Sequence, residues 1–271
     1  MRDWELSKKF ESSFGTIQYD VEGKGSAIVL VHGTPWSSYN WRHLIPALRQ
    51  WYTVYYYDLL GYGQSEKNEA DISLGVQNKI LAELLDYWKL QAPIIIGHDF
   101  GGTTVLRTHL LEKRNFQKII LIDPVAIGPW GSPFFAHVNQ HEEAFKGIPS
   151  YIHESIVSTY VQGAQHKKMD DETLKGIIKP WIGTIGQNAF YRQIAQANQK
   201  YTDEIEPLYG EITTPTLIIW GEEDTWIPIK NAHILHRKIK GSLLETIPKG
   251  GHLVQEDSPT LLLAYLMKFL L

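Results

Sequence analysis

The sequence predicts an α/β protein, with a doubly wound, mostly parallel sheet and a helical cap inserted into it. Three observations lead to this class. Short, continuous apolar runs alternate with segments of helical periodicity. A tight, glycine-rich turn at 97–101 joins one apolar run directly to a helical segment. A long region without strand-like runs then separates Ile122 from Thr216.

Six apolar runs have the length and composition of strands that are buried on both faces of a parallel sheet. They are residues 27–31, 52–57, 93–96, 118–122, 216–220 and the weaker 243–247. Helical periodicity is clearest in residues 71–90, 103–113 and 259–271. Strands that alternate with helices in this way are typical of a parallel sheet covered on both sides.

The long gap between strands predicts the domain organisation. Its sequence is rich in aromatic residues and has helical patterns, whereas a structureless loop of this length is improbable in a compact domain. We therefore expect a core formed by residues 1–127 and 206–271, and a helical cap at 128–205 that covers a site at the strand ends.

Composition narrows the classes of function. The chain has 26 Lys+Arg and 30 Asp+Glu, a net charge of −4 without single-sign blocks, which argues against nucleic-acid and membrane partners. Cysteine is absent, which excludes thiol nucleophiles and Cys-ligated metals. Residues 1–10 lack the apolar segment of a secretory signal. We expect a cytoplasmic monomer or homodimer that acts on a small molecule without a cofactor.

The sharpest motif is Gly-His-Asp-Phe-Gly at 97–101, between the run 93–96 and a helical segment. Strand, G-x-nucleophile-x-G turn and helix form a nucleophile elbow, in which glycines permit a strained turn that presents the central side chain above the sheet. That side chain is a carboxylate here. The motif therefore predicts Asp99 as the nucleophile.

An acid and a histidine follow in the order expected of such a triad. Asp224 lies just after the run 216–220, and His252 follows the run 243–247. We interpret them as the orienting acid and the general base. Asp123, after the run 118–122, is a reserve acid or a supporting residue.

An oxyanion hole is predicted from two backbone N–H groups. One comes from Thr34, in the His-Gly-Thr-Pro loop after the run 27–31, and the other from Phe100, which follows the nucleophile. An ionised carboxylate needs no base for its own attack. Asp99 can therefore displace a leaving group from an sp³ carbon, and a water activated by His252 would hydrolyse the resulting ester.

These motifs resemble the α/β-hydrolase superfamily over essentially the whole chain. An aspartate at the elbow resembles the branch of haloalkane dehalogenases and epoxide hydrolases, and residues 32–42 (HGTPWSSYNWR) resemble the dehalogenase pattern H-G-N-P-x-S-S-Y-x-W-R. The resemblance implies a halide held by indole or amide N–H groups. Thr34 and Phe100 replace two of the usual donors, so Trp36, Trp130 and Trp181 are the candidate replacements.

An epoxide instead requires acids that protonate its oxygen, usually two tyrosines of the cap. Phe190-Tyr191-Arg192 resembles the segment that carries one of them, and Tyr151 or Tyr160 would be the other. We rank haloalkane dehalogenation narrowly before epoxide hydrolysis, with Trp36, Trp130 and Tyr191 as substrate-binding residues. Hydrolysis of an ester or lactone is a third hypothesis.

A different class is also open, because a fold does not fix a function. The chain could be a non-catalytic ligand-binding protein on a hydrolase fold, although a pure binder has no need of a complete triad. The pair His137 and His141 has helical i, i+4 spacing but no third ligand nearby in the sequence, so we predict no metal site.

Overall fold

An eight-stranded sheet runs through residues 4–271, the part of the chain that the computed structural model describes. Its strands are β1 (Lys8–Ser12), β2 (Gly15–Gly23), β3 (Ser26–Val31), β4 (Tyr52–Tyr57), β5 (Ile94–His98), β6 (Lys118–Ile122), β7 (Thr216–Gly221) and β8 (Leu243–Ile247). Their order is β1-β2-β4-β3-β5-β6-β7-β8. Pairing is parallel from β4 to β8, and β2 runs antiparallel to β1 and β4.

The doubly wound, mostly parallel sheet is therefore confirmed, and each of the six apolar runs forms a strand. The hairpin β1–β2 was not predicted. Its residues are largely exposed or half-buried and many are polar, because this pair forms one edge of the sheet. Apolar runs reveal strands that are buried on both faces, and an edge hairpin has no such run.

Helices cover both faces of the sheet. They are α1 (Ile45–Leu48), α2 (Leu74–Tyr87), α3 (Phe100–Leu110), α4 (Pro133–Gln140), α5 (Glu142–Lys146), α6 (Ser150–Gln162), α7 (Asp171–Ile178), α8 (Gly183–Ala195), α9 (Lys200–Asp203), α10 (Lys230–Lys238), α11 (Val254–Asp257) and α12 (Pro259–Leu270). Short 3₁₀ helices span Ser38–Trp41, Lys179–Trp181 and Glu206–Glu211. In the described chain, no helix is both long and apolar enough to span a bilayer.

Alternate side chains of β3 show how the two layers of the core form. Val29 and Val31 belong to the apolar cluster that includes α2, α3 and the helices after β6. Ile28 and Leu30 point to the other face and pack with the apolar side chains of α1 and α12. Every one of these four strand residues is fully buried, as the continuous apolar run predicts.

Helices α4 to α9 lie between β6 and β7, in the long gap that the sequence marked. They replace the single crossover helix that would normally join neighbouring parallel strands. These helices contribute side chains to the same apolar cluster as Val29 and Val31 of the sheet, namely Val138, Val157, Val161 and Ile194. A helical insertion thus covers the sheet, while the exact limits 128 and 205 stay a prediction.

The strand order decides which loops meet. The parallel strands β5, β6, β7 and β8 are neighbours, and they end at the same edge. Asp99, Asp123, Asp224 and His252 each follow one of these strands. Residues that are up to 153 positions apart are therefore brought to one edge of the sheet, the position at which ligands bind in open α/β sheets.

Candidate active site

The nucleophile elbow is a strained turn between β5 and α3. Asp99 has φ 54° and ψ −121°, a backbone conformation that non-glycine residues rarely adopt. The flanking glycines are required by close approach of the backbone. A Cβ on Gly97 would lie 2.6 Å from the carbonyl oxygen of Gly101, and one on Gly101 would lie 2.1 Å from that of Val31. Only glycine fits at both positions.

The three residues of the predicted triad lie in contact. Nδ1 of His252 is 2.8 Å from Oδ2 of Asp224, and Nε2 of His252 is 3.2 Å from Oδ2 of Asp99. The first contact is a hydrogen bond, but Nε2 makes no hydrogen bond of good geometry with Asp99. The imidazole is thus fixed by its acid, while its second nitrogen remains available to a molecule above the nucleophile.

Asp224 accepts three hydrogen bonds. Its Oδ1 accepts the backbone N–H groups of Trp226 and Ile227, both at 2.8 Å, and its Oδ2 accepts Nδ1–H of His252. Burial opposes a charge on His252, but the carboxylates of Asp224 and Asp99 outweigh burial and raise the pKa of His252 well above its ordinary value. The site therefore stabilises the imidazolium.

Thr34 binds Asp99 from the loop after β3. Its backbone N–H donates to Oδ1 of Asp99 over 2.6 Å. The neighbouring Gly33 permits this contact, because a Cβ there would lie 2.2 Å from the same oxygen. Phe100 is the first residue of α3, where backbone N–H groups have no acceptor within the helix. Of the two predicted oxyanion donors, Thr34 therefore contacts Asp99 directly, and Phe100 is the next residue in the chain.

Buried imidazoles fix the loops around this centre. Nδ1 of His32 donates to the carbonyl of Gly33, and its Nε2 accepts the N–H of Leu59, so the ring is neutral. Nε2 of His98 donates to the carbonyl of His252 over 2.9 Å. Burial lowers the pKa of His32, and burial with the nearby charge of His252 lowers that of His98. Both rings therefore position backbone without adding charge.

A cavity of about 250 Å³ opens above Asp99. Its lining includes Thr34 and Phe100 from the core and a mainly apolar wall from the insertion and the loop after β7: Trp130, Phe135, Tyr160, Trp226 and Ile227. A larger groove of about 470 Å³, around Trp4 and Tyr39, contains none of the triad residues. The cavity over Asp99 is thus the candidate substrate site, small and largely apolar.

The three predicted substrate-binding residues occupy different places. Trp130 lines the cavity, but its indole N–H donates to Thr202 over 2.8 Å. Trp36 is buried and stacks on Trp226, with ring centroids 5.6 Å apart, outside the cavity lining. Tyr191 is also outside the lining, and its hydroxyl is 3.0 Å from Nδ1 of His153. Their roles toward a substrate stay predictions.

Tyr160 is the phenol that the structure brings to the cavity. Its ring stacks on Trp226 at 4.6 Å, and Trp226 in turn stacks on His252 at 5.1 Å. Burial raises the pKa of Tyr160 well above its ordinary value, and the charge of Asp99 raises it further. The phenol is therefore neutral and can donate a proton or a hydrogen bond next to the nucleophile. Tyr151, the other candidate, is largely exposed, and the lining of the cavity does not include it.

Gln193 on α8 is a site residue that the sequence did not reveal. Its Oε1 accepts the hydroxyls of Thr34 and, at 3.1 Å, of Tyr62. Its amide nitrogen is buried without a hydrogen-bond partner. The available signal was its spacing, since Gln193 lies three and four residues after the buried Phe190 and Ala189. A polar residue on a buried helix face needs a polar partner.

The fold and the site define a family. The chain belongs to the α/β-hydrolase fold family, whose model matches residues 26–259. An α/β-hydrolase fold protein from Burkholderia ambifaria has a similar crystal structure, at 43% identity and TM-score 0.96, with 98% of this chain and 99% of that chain covered.

Two curated relatives are more distant. An uncharacterized hydrolase of Bacillus subtilis strain 168, YugF, is 26% identical over 259 residues, which cover 90% of this chain and 89% of the relative. Epoxide hydrolase 4 of Mus musculus is 24% identical over 263 residues, which cover 90% of this chain and 72% of the relative. The chain is therefore a member of a family of hydrolases.

Proposed function

We propose that this hydrolase acts on an alkyl substrate through an ester formed on Asp99, and that the substrate is an epoxide. The observation that carries the proposal is the combination of an aspartate at the elbow with the neutral phenol of Tyr160 in the same cavity. Oδ1 of Asp99 is occupied by the N–H of Thr34, which leaves Oδ2 to attack the ring carbon. The C–O bond of the epoxide breaks, and its oxygen takes the phenolic proton of Tyr160.

Hydrolysis of the ester uses His252. Its Nε2 takes a proton from a water, whose oxygen attacks Cγ of Asp99, and Asp224 stabilises the imidazolium that forms. Charge develops on Oδ1, next to the N–H of Thr34. When the tetrahedral intermediate collapses, the diol leaves with the proton from His252. Asp99 is then a carboxylic acid with the second proton of the water, which it releases to solvent, and Tyr160 regains a proton from solvent.

A haloalkane is the second candidate, favoured by the pattern of residues 32–42. Contacts of the candidate indoles argue for the reverse of the order that the sequence favoured. The indole N–H of Trp130 is bound to Thr202, and that of Trp181 to the carbonyl of Pro35. The indole N–H of Trp36 has no partner, but Trp36 lies outside the cavity lining. A halide would need such donors to be free and directed into the cavity. A phenol suits an oxygen leaving group better, and one curated relative is named an epoxide hydrolase.

The test is rapid quench with the His252→Gln variant, which retains the nucleophile but lacks the base. It is mixed with 1,2-epoxyalkanes and with 1-haloalkanes of the same chain lengths, and intact mass and peptide mapping follow. We expect an epoxide adduct on Asp99 that is absent from the matched double variant Asp99→Asn/His252→Gln. Adducts from haloalkanes alone, with halide release, would favour the second candidate. No adduct on Asp99 from either series would refute an alkyl-ester mechanism.

A further inference from the structure

Asp123 is a buried carboxyl group that this mechanism does not use. It follows β6, has φ 41° and is fully buried. Its Oδ1 accepts the backbone N–H of Gly221 over 2.8 Å, whereas its Oδ2 has no hydrogen-bond partner. An ionised carboxylate left with one donor at such a site would be strongly destabilising. Asp123 must therefore either be neutral or have another partner.

The neighbouring carboxyl group of Asp224 decides whether Asp123 is neutral or ionised. Strands β6 and β7 are paired, so the residues after them are adjacent. One oxygen of Asp123, one of Asp224 and one nitrogen of His252 lie within 4.8 Å of one another. Two buried carboxyl groups this close do not both ionise, because like charges repel at low dielectric. Asp224 accepts three donors and Asp123 accepts one, so the negative charge belongs on Asp224.

We propose that Asp123 holds a proton and donates a hydrogen bond to the carboxylate of Asp224, and so acts as a positioning residue for His252. The inference rests on the proposed function, in which His252 is the base. A hydroxyl at Oδ2 of Asp123 gives this otherwise unpaired atom a hydrogen-bond partner in Asp224. It also withdraws part of the charge of Asp224, so His252 loses its proton more easily than it would beside two anions. Burial and the charge of Asp224 raise the pKa of Asp123 well above its ordinary value, in agreement.

Three other titratable side chains contact His252, and the substitutions of Asp123 replace none of them. Asp99 lies 3.2 Å from Nε2, and the neutral ring of His98 packs against His252 with centroids 5.0 Å apart. Asp224 bonds Nδ1. Asp123 is therefore a member of this cluster whose substitution changes the hydrogen bonding of Asp224 without removing a triad residue.

The test compares Asp123→Asn with Asp123→Leu. Asparagine keeps a neutral donor of the same shape, so we expect the pKa of His252, followed by NMR of histidine-labelled protein, to stay within about 0.3 units of the parent value. Leucine removes this hydrogen-bond donor. More negative charge then remains on the carboxylate of Asp224, so the pKa of His252 rises by about one unit. The acid limb of kcat should move with it. Infrared difference spectra should show the carbonyl band of a protonated carboxyl in the parent and lose it in Asp123→Asn.

Two results would overturn the inference. If Asp123 is ionised, Asp123→Asn removes a negative charge, and the pKa of His252 falls by about one unit. If Asp123 is itself the orienting acid, Asp123→Asn abolishes turnover while Asp224→Asn retains it. The NMR and infrared readouts need no substrate. They therefore test the proton on Asp123 even if every epoxide and haloalkane fails, and a failure of the proposed function is recognised separately.

Discussion

Thr34 donates its backbone N–H to Oδ1 of Asp99 over 2.6 Å, so the two oxygens of the nucleophile are not equivalent. In the proposed mechanism Oδ2 attacks, and Oδ1 lies where negative charge develops when water attacks Cγ. A single turnover in heavy-oxygen water should therefore put the label into Asp99 and leave the product unlabelled. Mass spectrometry of the Asp99 peptide and of the product checks this. A labelled product with an unlabelled Asp99 would show direct attack by water.

Removal of the acid should separate the two half-reactions. Asp224→Asn deprives the imidazolium of His252 of its counter-charge and favours the wrong tautomer, so we expect kcat to fall by about 10³- to 10⁴-fold. Formation of the ester should change far less, because attack by an ionised Asp99 needs no base. Stopped-flow and quench measurements of the two steps check the prediction, and equal losses in both steps would contradict it.

The pH dependence of turnover should reflect the raised pKa of His252. Hydrolysis of the ester requires the neutral imidazole, so kcat should increase with pH through an acid limb above pH 6.5, the ordinary value of a histidine. Ester formation should be flat over the same range. The measurement is kcat and the single-turnover alkylation rate from pH 5 to pH 10. An acid limb below pH 6.5 would show that Asp224, the carboxylate that stays charged while Asp99 is esterified, does not outweigh burial.

The same shift predicts a change in stability. A raised folded-state pKa means that the folded protein binds the proton more tightly than the unfolded chain. The resulting stabilisation is present in full below about pH 6.5 and is lost as pH rises through the folded-state pKa. The difference in unfolding free energy between the parent and His252→Gln should therefore fall from pH 6 to pH 9. Denaturant titrations at fixed ionic strength measure it, and a difference that grows with pH would contradict the assignment.

Removal of the hydroxyl should affect epoxide turnover at Tyr160 but not at Tyr191. Tyr160→Phe keeps the ring that stacks on Trp226 but removes the phenol, so turnover of epoxides should fall by about 10²-fold or more while any turnover of haloalkanes is unaffected. Tyr191→Phe removes a hydrogen bond to His153 and should cost about 1 kcal/mol of stability. If the sequence resemblance at Tyr191 gives the true proton donor instead, its variant loses epoxide turnover and Tyr160→Phe does not.

Gln193 and Thr34 should act as a unit. Thr34→Val keeps the backbone N–H that binds Asp99 but removes the hydroxyl that Gln193 accepts. Gln193→Leu removes the acceptor from the other side. We expect each variant to lower kcat by about tenfold and the double variant to lose little more, since contacting residues are not additive. Additive losses from the measured kinetic constants would show that the two side chains support the nucleophile independently.

The sequence predicted the features that follow from local rules. Continuous apolar runs identified the six inner strands, and the elbow at Asp99 required glycines whose Cβ atoms would meet backbone. The order of the motifs predicted Asp99, Asp224 and His252, which the fold brings into contact. The hairpin β1–β2 and the direction of the indole N–H groups depend on tertiary packing instead. Tyr160 carries no motif of its own, and its place over Asp99 is set by how α6 packs on Trp226.

The hydrogen bond between Thr34 and Gln193 couples the helical insertion to the elbow. Gln193 belongs to α8 of the insertion, while the N–H of Thr34 holds the nucleophile in the core. A change in how α8 packs would therefore reach Oδ1 of Asp99 through the side chain and then the backbone of Thr34. The alignment of this carboxylate is thus set jointly by the elbow in the core and by a helix that lies 94 positions further along the chain.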